Sequence, residues 1–471
     1  MPSRIFTLNW QQYGDPHALS NPETIARKLR YQALGQACRE QGMKDLLFAH
    51  HADDQAETSL MRLSNKYLGR GLAGMHRETR IPECQGLYGV DSSGTPRILR
   101  SADRSNNNML IESGGVTVLR PLLDYTKARL IATCEEAGTR WVEDQTNKDP
   151  SLTLRNAVRS LHESDRLPIA LRRPNLRRVA ESIRLTSSNR EATAHRLFQT
   201  CTISLRPSSG TATCTIPDTT VLALAHSPDN AHIKALLLRK LLLLVAPARQ
   251  IDLATLSAAS ARFLLPANLH AKQRAQETLA LASAAVVRAG RDRSATATLY
   301  ALHRTPPSRA DRTSWPELRL TLPPAKPSAE QQPAWSAWQL WDGRYWLRFA
   351  RLSPSDSDSD PPARLVVRFL RADEVQVVRR SLPARARKAF NEELAGVKGN
   401  VWPTLPVVAL EPEGVGARAR PWEERVVALP SVGWGRDGWV RFEGEGKGVG
   451  EAGFLWDVRY KEVDGWLTKA V

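Results

Sequence analysis

The chain has 471 residues, with 66 Lys or Arg against 49 Asp or Glu, so its formal net charge is +17 at pH 7. Such a length allows about two or three domains with substantial cores. The positive excess favours a polyanionic partner such as RNA, although solvated surface charge would give the same balance. No run of about 18 apolar residues occurs, so we expect no transmembrane helix and no membrane partner.

Five cysteines are scattered along the sequence, and none forms a C-x-x-C pair. A disulfide framework and a structural zinc site are therefore not expected. Reduced thiols in an intracellular protein explain the cysteines best.

The first predicted element is a helix that begins at Pro22 and ends before Gly42, since proline suits a first helical position and glycine suits a helix end. Arg27 and Arg30 lie three positions apart on this helix, so they share one face. They could point together into a ligand crevice or belong to a solvated surface.

The most informative segment is His50–Thr58, which reads HHADDQAET. It follows the apolar run 46–49, which predicts a buried parallel strand, and a helix is predicted to begin near Asp53. In doubly wound sheets, ligands bind where strands end. The segment therefore predicts a ligand crevice.

Asp54 and Glu57 lie three positions apart, so their carboxylates can share one helical face. Two carboxylates there could hold Mg²⁺, bind an ammonium group, or take a proton from an amine nucleophile. Acidic residues also favour helix N-termini through the helix dipole alone, and Asp53 could be only an N-cap.

Further along the chain, residues 125–138 predict an amphipathic helix and residues 139–142 the last strand of the sheet. The arginine-rich segment 160–184 predicts either RNA phosphate contacts or a basic solvated helix. Residues 201–220 suggest strand or linker, and helices are predicted over 229–246 and 251–264.

The C-terminal part is richer in Pro, Ser and Trp. Residues 353–362 predict a disordered linker, and strand-like runs follow. Ten of the thirteen tryptophans fall after residue 330. A small aromatic core explains them better than stacking on RNA bases does.

The segment His50–Thr58 resembles the HHxDDQAET signature of the tRNA(Ile)-lysidine synthases, members of the PP-loop ATP pyrophosphatase superfamily. The resemblance extends over roughly residues 5–160. Further family motifs are matched by ARKLRY at 26–31, GLAGM at 71–75, RPLL at 120–123, EDQTN at 143–147 and RNAVR at 155–159.

This resemblance implies an α/β fold with a parallel doubly wound sheet, similar to the adenine-nucleotide alpha hydrolases. It also implies a helical middle domain and a small α+β C-terminal domain. The expected division is a partial catalytic domain over 1–165, a helical domain over 166–290, a Pro/Ser-rich linker region over 291–364, and a Trp/Gly-rich domain over 365–471.

The activity implied by the resemblance is lysidine synthesis, a ligase reaction that forms a C–N bond. ATP adenylates O2 of the wobble cytidine in an isoleucine tRNA with a CAU anticodon, and the amine of free lysine then attacks C2. ATP and Mg²⁺ are the implied cofactors. Because an ammonium group cannot attack, a nearby carboxylate base is required.

The resemblance also assigns roles. Asp54 and Glu57 would bind lysine and assist deprotonation of its amine, His50 and His51 would contact phosphates or the adenylated base, and Asp53 would support Mg²⁺. The remaining implied contacts are Arg30, with Arg27 beside it, for the lysine carboxylate, and Asn147, Arg155 and Arg159 for nucleotide or RNA.

One family element has no counterpart in the sequence. The superfamily places an SGGxDS phosphate loop before HHxDDQ, whereas Ser113-Gly114-Gly115 follows that motif and lacks the Asp and Ser. We expect a truncated gene prediction rather than natural loss of the loop. We also expect lysidine formation by this chain to be impaired, and its compartment to be cytoplasmic or mitochondrial.

Two other functions fit parts of the pattern. A non-catalytic tRNA-binding relic of the same fold would bind RNA without releasing pyrophosphate. A different PP-loop amidating enzyme would act on a small molecule, which the charge and the GLAGM and RNAVR segments disfavour.

Overall fold

A computed structural model describes residues 3–100, 109–164, 166–226, 229–264, 278–307, 315–322, 333–351, 363–371, 374–381, 387–388, 391, 401–411, 425–435, 440–441 and 454–470. The chain divides into two compact units. Unit 1 comprises Met1–Gln85, Gly89–Asp91 and Gly114–Thr193, and unit 2 comprises Gly86–Tyr88, Ser92–Ser113 and Ala194–Val471.

The α-helices of the described residues are α1 (Pro22–Glu40), α2 (Ala52–Ser64), α3 (Lys127–Glu136), α4 (Leu154–Glu163), α5 (Arg173–Gln199), α6 (Asp218–His226), α7 (Asn230–Leu243), α8 (Leu253–Phe263) and α9 (Glu374–Ser381). None of them is long and apolar enough to cross a bilayer. The predicted helices that begin at Pro22 and near residues 125, 229 and 251 are confirmed.

The strands are β1 (Asp45–Leu47), β2 (Glu78–Arg80), β3 (Asp91–Gly94), β4 (Arg97–Leu99), β5 (Gly114–Gly115), β6 (Thr117–Leu119), β7 (Thr202–Arg206), β8 (Thr211–Pro217), β9 (Thr278–Leu281), β10 (Ala284–Arg291), β11 (Ala297–Arg304), β12 (Leu318–Leu322), β13 (Gln339–Trp341), β14 (Tyr345–Arg351), β15 (Ala363–Phe369), β16 (Pro406–Leu410), β17 (Arg425–Leu429), β18 (Trp434–Gly435), β19 (Val440–Arg441), β20 (Phe454–Tyr460) and β21 (Thr468–Ala470).

Unit 1 contains a three-stranded sheet in the order β1-β6-β2. β1 runs parallel to β6, and β2 runs antiparallel to it. Val118 in the central strand is fully buried, whereas Leu47 in β1 is 68% exposed. The expected buried strand over 46–49 is therefore shorter and more exposed than predicted, because β1 has a hydrogen-bonded neighbour on one side only among the described residues.

The predicted last strand over 139–142 is wrong. These residues have no regular structure, and Val142 is 96% exposed. A strand needs a neighbour for its backbone hydrogen bonds, and no described strand pairs with this segment. The α/β character of unit 1 rests instead on helices α1 to α4 and the short sheet.

Helices α2, α4 and α5 pack through one apolar cluster, which fixes the position of the acidic first turn of α2. Its buried members are Ala56 and Leu60 from α2, Val158 from α4 and Leu176 from α5. Because the four side chains contact one another, the start of α2 and the start of α4 are held side by side.

Unit 2 is built mainly on three antiparallel sheets, with the strand orders β7-β8-β11-β10-β9, β12-β15-β16-β17-β18 and β13-β14-β20-β19, the last including one parallel pair. Helices α6 to α8 lie in the same unit, and Leu237, Leu241 and Leu242 of α7 are fully buried in its core. The expected helical domain over 166–290 thus also contains strands.

The expected linker region over 291–364 is corrected by the structure, since β11 to β14 lie within it. Each of these strands contributes buried side chains, and this burial outweighs the Pro and Ser content. The predicted disordered segment 353–362 lies outside the described residues. The aromatic-core prediction is confirmed for Trp341, Trp346 and Trp456, each at most 1% exposed.

Candidate active site

The first turn of α2 is organised by His51. This residue is the N-cap, because its Nδ1 accepts from the Asp54 backbone N–H at 3.4 Å while Asp54 Oδ2 accepts from the His51 N–H at 2.9 Å. Such a reciprocal pair satisfies two helix-end donors. The alternative interpretation of Asp53 as only an N-cap is wrong, since Asp53 is already in the first turn.

Asp53 instead stabilises the start of α3. Its Oδ2 accepts a 2.8 Å hydrogen bond from the backbone N–H of Lys127, the first residue of that helix. Its Oδ1 lies 3.9 Å from Nε of Arg173. A carboxylate at a helix N-terminus is favoured by the helix dipole, so the packing of unit 1 explains much of the Asp53 position.

Glu57 is the centre of a charge network. Its side chain is 1% exposed, and it accepts hydrogen bonds from Arg159 at 2.9 and 3.1 Å and from Arg155 at 3.2 Å. Arg155 also donates to Asp54 Oδ1 at 3.2 Å. The structure therefore brings together four predicted site residues from two motifs about 100 positions apart.

The same contacts affect the pKa of Arg159. The hydrogen bond to Glu57 is the largest cause that raises the pKa of Arg159 above its usual range. Two guanidinium groups oppose two carboxylates, so the network is balanced in charge. Arg155 is the more exposed of the two arginines, at 37% against 25%.

The loop before α4 is fixed by Asn156, a residue that the sequence analysis did not single out. Its side-chain amide donates to the carbonyl oxygens of Thr146 and Asp149, both at 2.9 Å. Asp144 accepts from the hydroxyl and the backbone N–H of Thr146, and these hydrogen bonds lower the pKa of Asp144. The sequence signal that could have indicated this residue is its position next to Arg155 in the RNAVR motif.

A polar cavity of about 430 Å³ opens beside this loop. Charged and amide side chains line it, together with the exposed Trp141 and Val142. The polar lining includes Lys127, Glu143, Asp144, Asn156, Arg159 and Glu163. A ligand with both positive and negative groups would find partners of each sign there.

Two histidines near the network have lowered pKa values. Burial is the main cause that lowers the pKa of both His50 and His162. The His50 ring stacks on Phe48, with centroids 5.4 Å apart. Nδ1 of His50 and Nε2 of His162 are buried and find no hydrogen-bond partner among the described residues. His162 was not predicted as a site residue.

Gln55 and Arg62 of α2 hold the turn 71–75, the GLAGM segment. Gln55 donates to the Met75 carbonyl at 2.8 Å and accepts from the Met75 N–H at 2.6 Å. Arg62 donates to the carbonyls of Gly71 and Gly74 at 3.0 and 2.9 Å. The glutamine of HHADDQAET therefore joins two motifs through the backbone.

The predicted arginines of α1, Arg27 and Arg30, do not join the network. Arg27 lies 3.8 Å from Glu83 and stacks over the Tyr31 ring, so it does not point into the crevice with Arg30. Arg30 is exposed and contacts none of the described acidic site residues. Asn147 lies in a short 3-10 turn over Gln145–Lys148, and its side chain is outside the described part of the chain.

The described residues contain no group of three or more His, Cys, Asp or Glu side chains arranged to hold a metal ion. Asp53 is the predicted Mg²⁺ ligand, and one of its oxygens is already used by the Lys127 N–H. Mg²⁺ commonly binds through one or two carboxylates together with phosphates and water. A site of that kind would have Asp53 as its one protein ligand.

Comparison with known proteins matches residues 4–163 to the PP-loop domain family. Similar curated proteins include a probable tRNA(Ile)-lysidine synthase of Schizosaccharomyces pombe, 37% identical over 34% of this chain and 30% of the relative. The tRNA(Ile)-lysidine synthase of Novosphingobium aromaticivorans is 37% identical over 26% of this chain and 29% of the relative. That of Bradyrhizobium diazoefficiens is 38% identical over 31% of this chain and 31% of the relative. The chain thus spans about a third of the length of these relatives.

Proposed function

We propose that this chain, which matches the PP-loop domain family over residues 4–163 and is similar there to tRNA(Ile)-lysidine synthases, is a tRNA-modifying ligase. The reaction is ATP-dependent attachment of lysine to the wobble cytidine of an isoleucine tRNA with a CAU anticodon. The net charge of +17 supports a polyanionic substrate.

The network of Asp54, Glu57, Arg155 and Arg159 carries this proposal. Its carboxylates and guanidinium groups come from two distant motifs and meet beside a polar cavity. Free lysine carries both an ammonium and a carboxylate, so a site with partners of both signs matches it.

We assign the proton transfer to Asp54 and Glu57. Arg159 holds Glu57 through two hydrogen bonds, whereas Arg155 is more exposed and contacts both carboxylates at 3.2 Å. The lysine ammonium would replace Arg155 on these oxygens. Asp54, which also bonds the His51 N–H, would then accept the proton that leaves the amine nucleophile.

His50 is suited to contact the base or a phosphate, because its pKa is lowered and its buried Nδ1 has no partner among the described residues. ATP would supply the adenylate that turns the cytidine oxygen into a good leaving group, and Mg²⁺ held by Asp53 would neutralise phosphate charge. Arg30 and Arg27 would have to move to reach the lysine carboxylate, so Arg155 is the better-placed partner for it.

The finer fold assignment also belongs to this proposal. A doubly wound parallel sheet would be completed around β1 and β6, whose parallel pairing is its one described element. The helical middle domain would contain α6 to α8, and the small α+β domain would follow residue 365.

The test is a lysine-transfer assay with the full chain. A CAU isoleucine tRNA transcript, ATP and radiolabelled lysine are incubated with the protein, and label in RNA and released pyrophosphate are measured. We expect ATP-dependent transfer at the impaired rate that the sequence analysis predicts, and a rate lower by a further 10²- to 10³-fold or so (about the size of a general-base effect) for Glu57→Gln and Asp54→Asn. Glu136→Gln, an exposed position at the end of α3, is the matched control and should keep the wild-type rate.

Other outcomes identify the alternatives. Affinity for tRNA without lysine transfer or pyrophosphate release would reject the enzymatic proposal and favour a tRNA-binding relic. Pyrophosphate release that needs no RNA would favour amidation of a small molecule.

A further inference from the structure

A second cleft lies in unit 2, on one face of the five-stranded sheet β7-β8-β11-β10-β9. Its volume is about 270 Å³. Apolar residues from β8, β10 and β11 form part of the wall. The polar and charged lining is Ser204, Arg206, Thr211, Thr213, Arg288 and His303, and it contains no Asp or Glu.

Strand register places three of these side chains in one row. Arg206 pairs with Thr211, and Thr211 pairs with His303, so a guanidinium, a hydroxyl and an imidazole stand on adjacent strands. Directly paired side chains of an antiparallel sheet have Cβ atoms about 5 Å apart. Ser204 and Thr213 form the next row on the same face, so the polar groups converge on one cleft.

The opposite face of the same strands supplies the core. Leu205, Ala212 and Leu302 alternate with the row residues and are at most 4% exposed. The polar row therefore lies on the side of the sheet that the core does not use. A bulge in β10 between Arg288 and Gly290 interrupts the regular ladder at the cleft, and such bulges often redirect side chains next to binding sites.

No acidic side chain among the lining residues balances the positive charge of the arginines in the cleft. Among the described residues, the Arg206 guanidinium makes no ion pair, in contrast to Arg291 on β10, which pairs with Asp218 at 2.6 Å. An arginine surrounded by hydroxyl groups and without a carboxylate favours a phosphate group, which it can bind through two hydrogen bonds.

His303 extends the recognition to a hydroxyl group. Its Nδ1 lies 3.1 Å from the carbonyl oxygen of Arg304. Since a carbonyl only accepts, Nδ1 carries the hydrogen, and in this tautomer Nε2 is the acceptor. An acceptor beside a phosphate-binding arginine suits the 2′-hydroxyl of a ribose, the group that distinguishes RNA from DNA.

We propose that this cleft binds a ribose–phosphate unit of RNA, with the phosphate on Arg206 and the neighbouring hydroxyls of Thr213 and Ser204, and the 2′-hydroxyl on Nε2 of His303. The site lies in unit 2 and shares no residue with the network around Glu57. The proposal can therefore be tested independently of lysidine formation.

The experiment measures fluorescence anisotropy of a labelled CAU tRNA transcript with the full chain between 50 and 200 mM KCl. Loss of one phosphate contact reduces the slope of log Kd against log salt by about one. We expect this reduction for Arg206→Gln and recovery of the slope for Arg206→Lys. Arg293→Gln removes the same charge from an exposed position between β10 and β11 and should change the slope by much less.

A second arm tests the hydroxyl contact and the source of the ligand. His303→Ala should reduce the preference for RNA over DNA of the same sequence. Thermal stabilisation by AMP, a free ribose phosphate, is compared for wild type and Arg206→Gln. If Arg206→Gln loses the thermal stabilisation by AMP but binds RNA as the wild type does, the cleft takes a free nucleotide and the RNA assignment is overturned. Equal RNA and AMP binding by Arg206→Gln and Arg293→Gln, with unchanged melting temperatures, would overturn the site altogether.

Discussion

Several residues of the candidate active site combine a predicted catalytic role with a structural role. Glu57 fixes two arginines while it lies 1% exposed, and His51 both belongs to the signature and caps α2. Asp53 anchors the start of α3. The catalytic interpretation of these residues and their structural role are therefore linked, because a substitution at Glu57 or Asp54 changes the packing of the motif as well as its chemistry.

His162 gives a pH-dependent prediction. Burial, followed by the charge of Arg173, lowers its pKa from 6.5 in the folded state. Below about pH 6.5 the unfolded chain therefore binds a proton more readily than the folded chain, and the free energy of unfolding falls as the pH decreases toward the lower folded value. We expect urea unfolding between pH 7.5 and 5.5 to show a smaller stability loss for His162→Gln than for wild type.

The comparison between the two proteins isolates the histidine, since carboxylates contribute equally to both. The matched control is His232→Gln, at an exposed position in α7. An equal loss of stability for wild type and His162→Gln would contradict the assignment.

At the level of elements, α2 is the scaffold on which the site is assembled. Its N-terminal turn carries the acidic residues, and its side chains Gln55 and Arg62 hold the turn 71–75. Gly74 makes this close approach possible. Its φ is +70°, and a Cβ added there would lie 2.3 Å from Oε1 of Gln55.

Gly74→Ala and Gly42→Ala form a matched pair. Both glycines have a left-handed backbone, with φ of +70° and +67°, but a Cβ at Gly42 meets nothing within 4 Å. Each alanine should lower the free energy of unfolding by about 1–2 kcal/mol through backbone strain. Gly74→Ala should lose roughly 1–3 kcal/mol more, because it disrupts the Gln55 hydrogen bonds. Urea unfolding measures the free energy of unfolding of both variants. Equal losses would contradict the role of Gln55 in holding the turn 71–75.

At the scale of the whole molecule, each unit gathers distant parts of the sequence. Unit 2 includes Ser92–Ser113, which lies within the span matched by the PP-loop family, and β4 of this segment pairs with β21 near the C-terminus. In the same unit, Asp342 accepts hydrogen bonds from Arg304 and Arg344, all three side chains being at most 5% exposed.

Asp342→Asn tests how far unit 2 depends on this buried network. Asparagine tolerates the positive φ of 48° found at Asp342, so the turn between β13 and β14 is kept while the charge is removed. Two buried arginines would lose their carboxylate, which should cost about 3–5 kcal/mol of unfolding free energy. Asp218→Asn, in a more exposed pair with Arg291, should cost less than about 1 kcal/mol. Similar losses for the two variants in urea unfolding would contradict this account.

The sequence by itself predicted the PP-loop domain and the residues of the charge network. HHADDQAET and RNAVR contain the Asp54, Glu57, Arg155 and Arg159 that the structure joins, because residue type and local spacing are readable from a linear chain. The helix after Asn21 and the leucine-rich helix α7 were predictable for the same reason, since their apolar residues recur at helical spacing.

Only the tertiary structure decided which groups meet. Arg27 pairs with Glu83 instead of facing the crevice, residues 139–142 form no strand, and residues 291–364 supply strands of the core instead of a linker. The clefts beside Arg159 and Arg206 likewise depend on strands and loops far apart in sequence. Ion pairing, strand pairing and burial are properties of neighbours in space, and local residue patterns do not specify which distant segment becomes the neighbour.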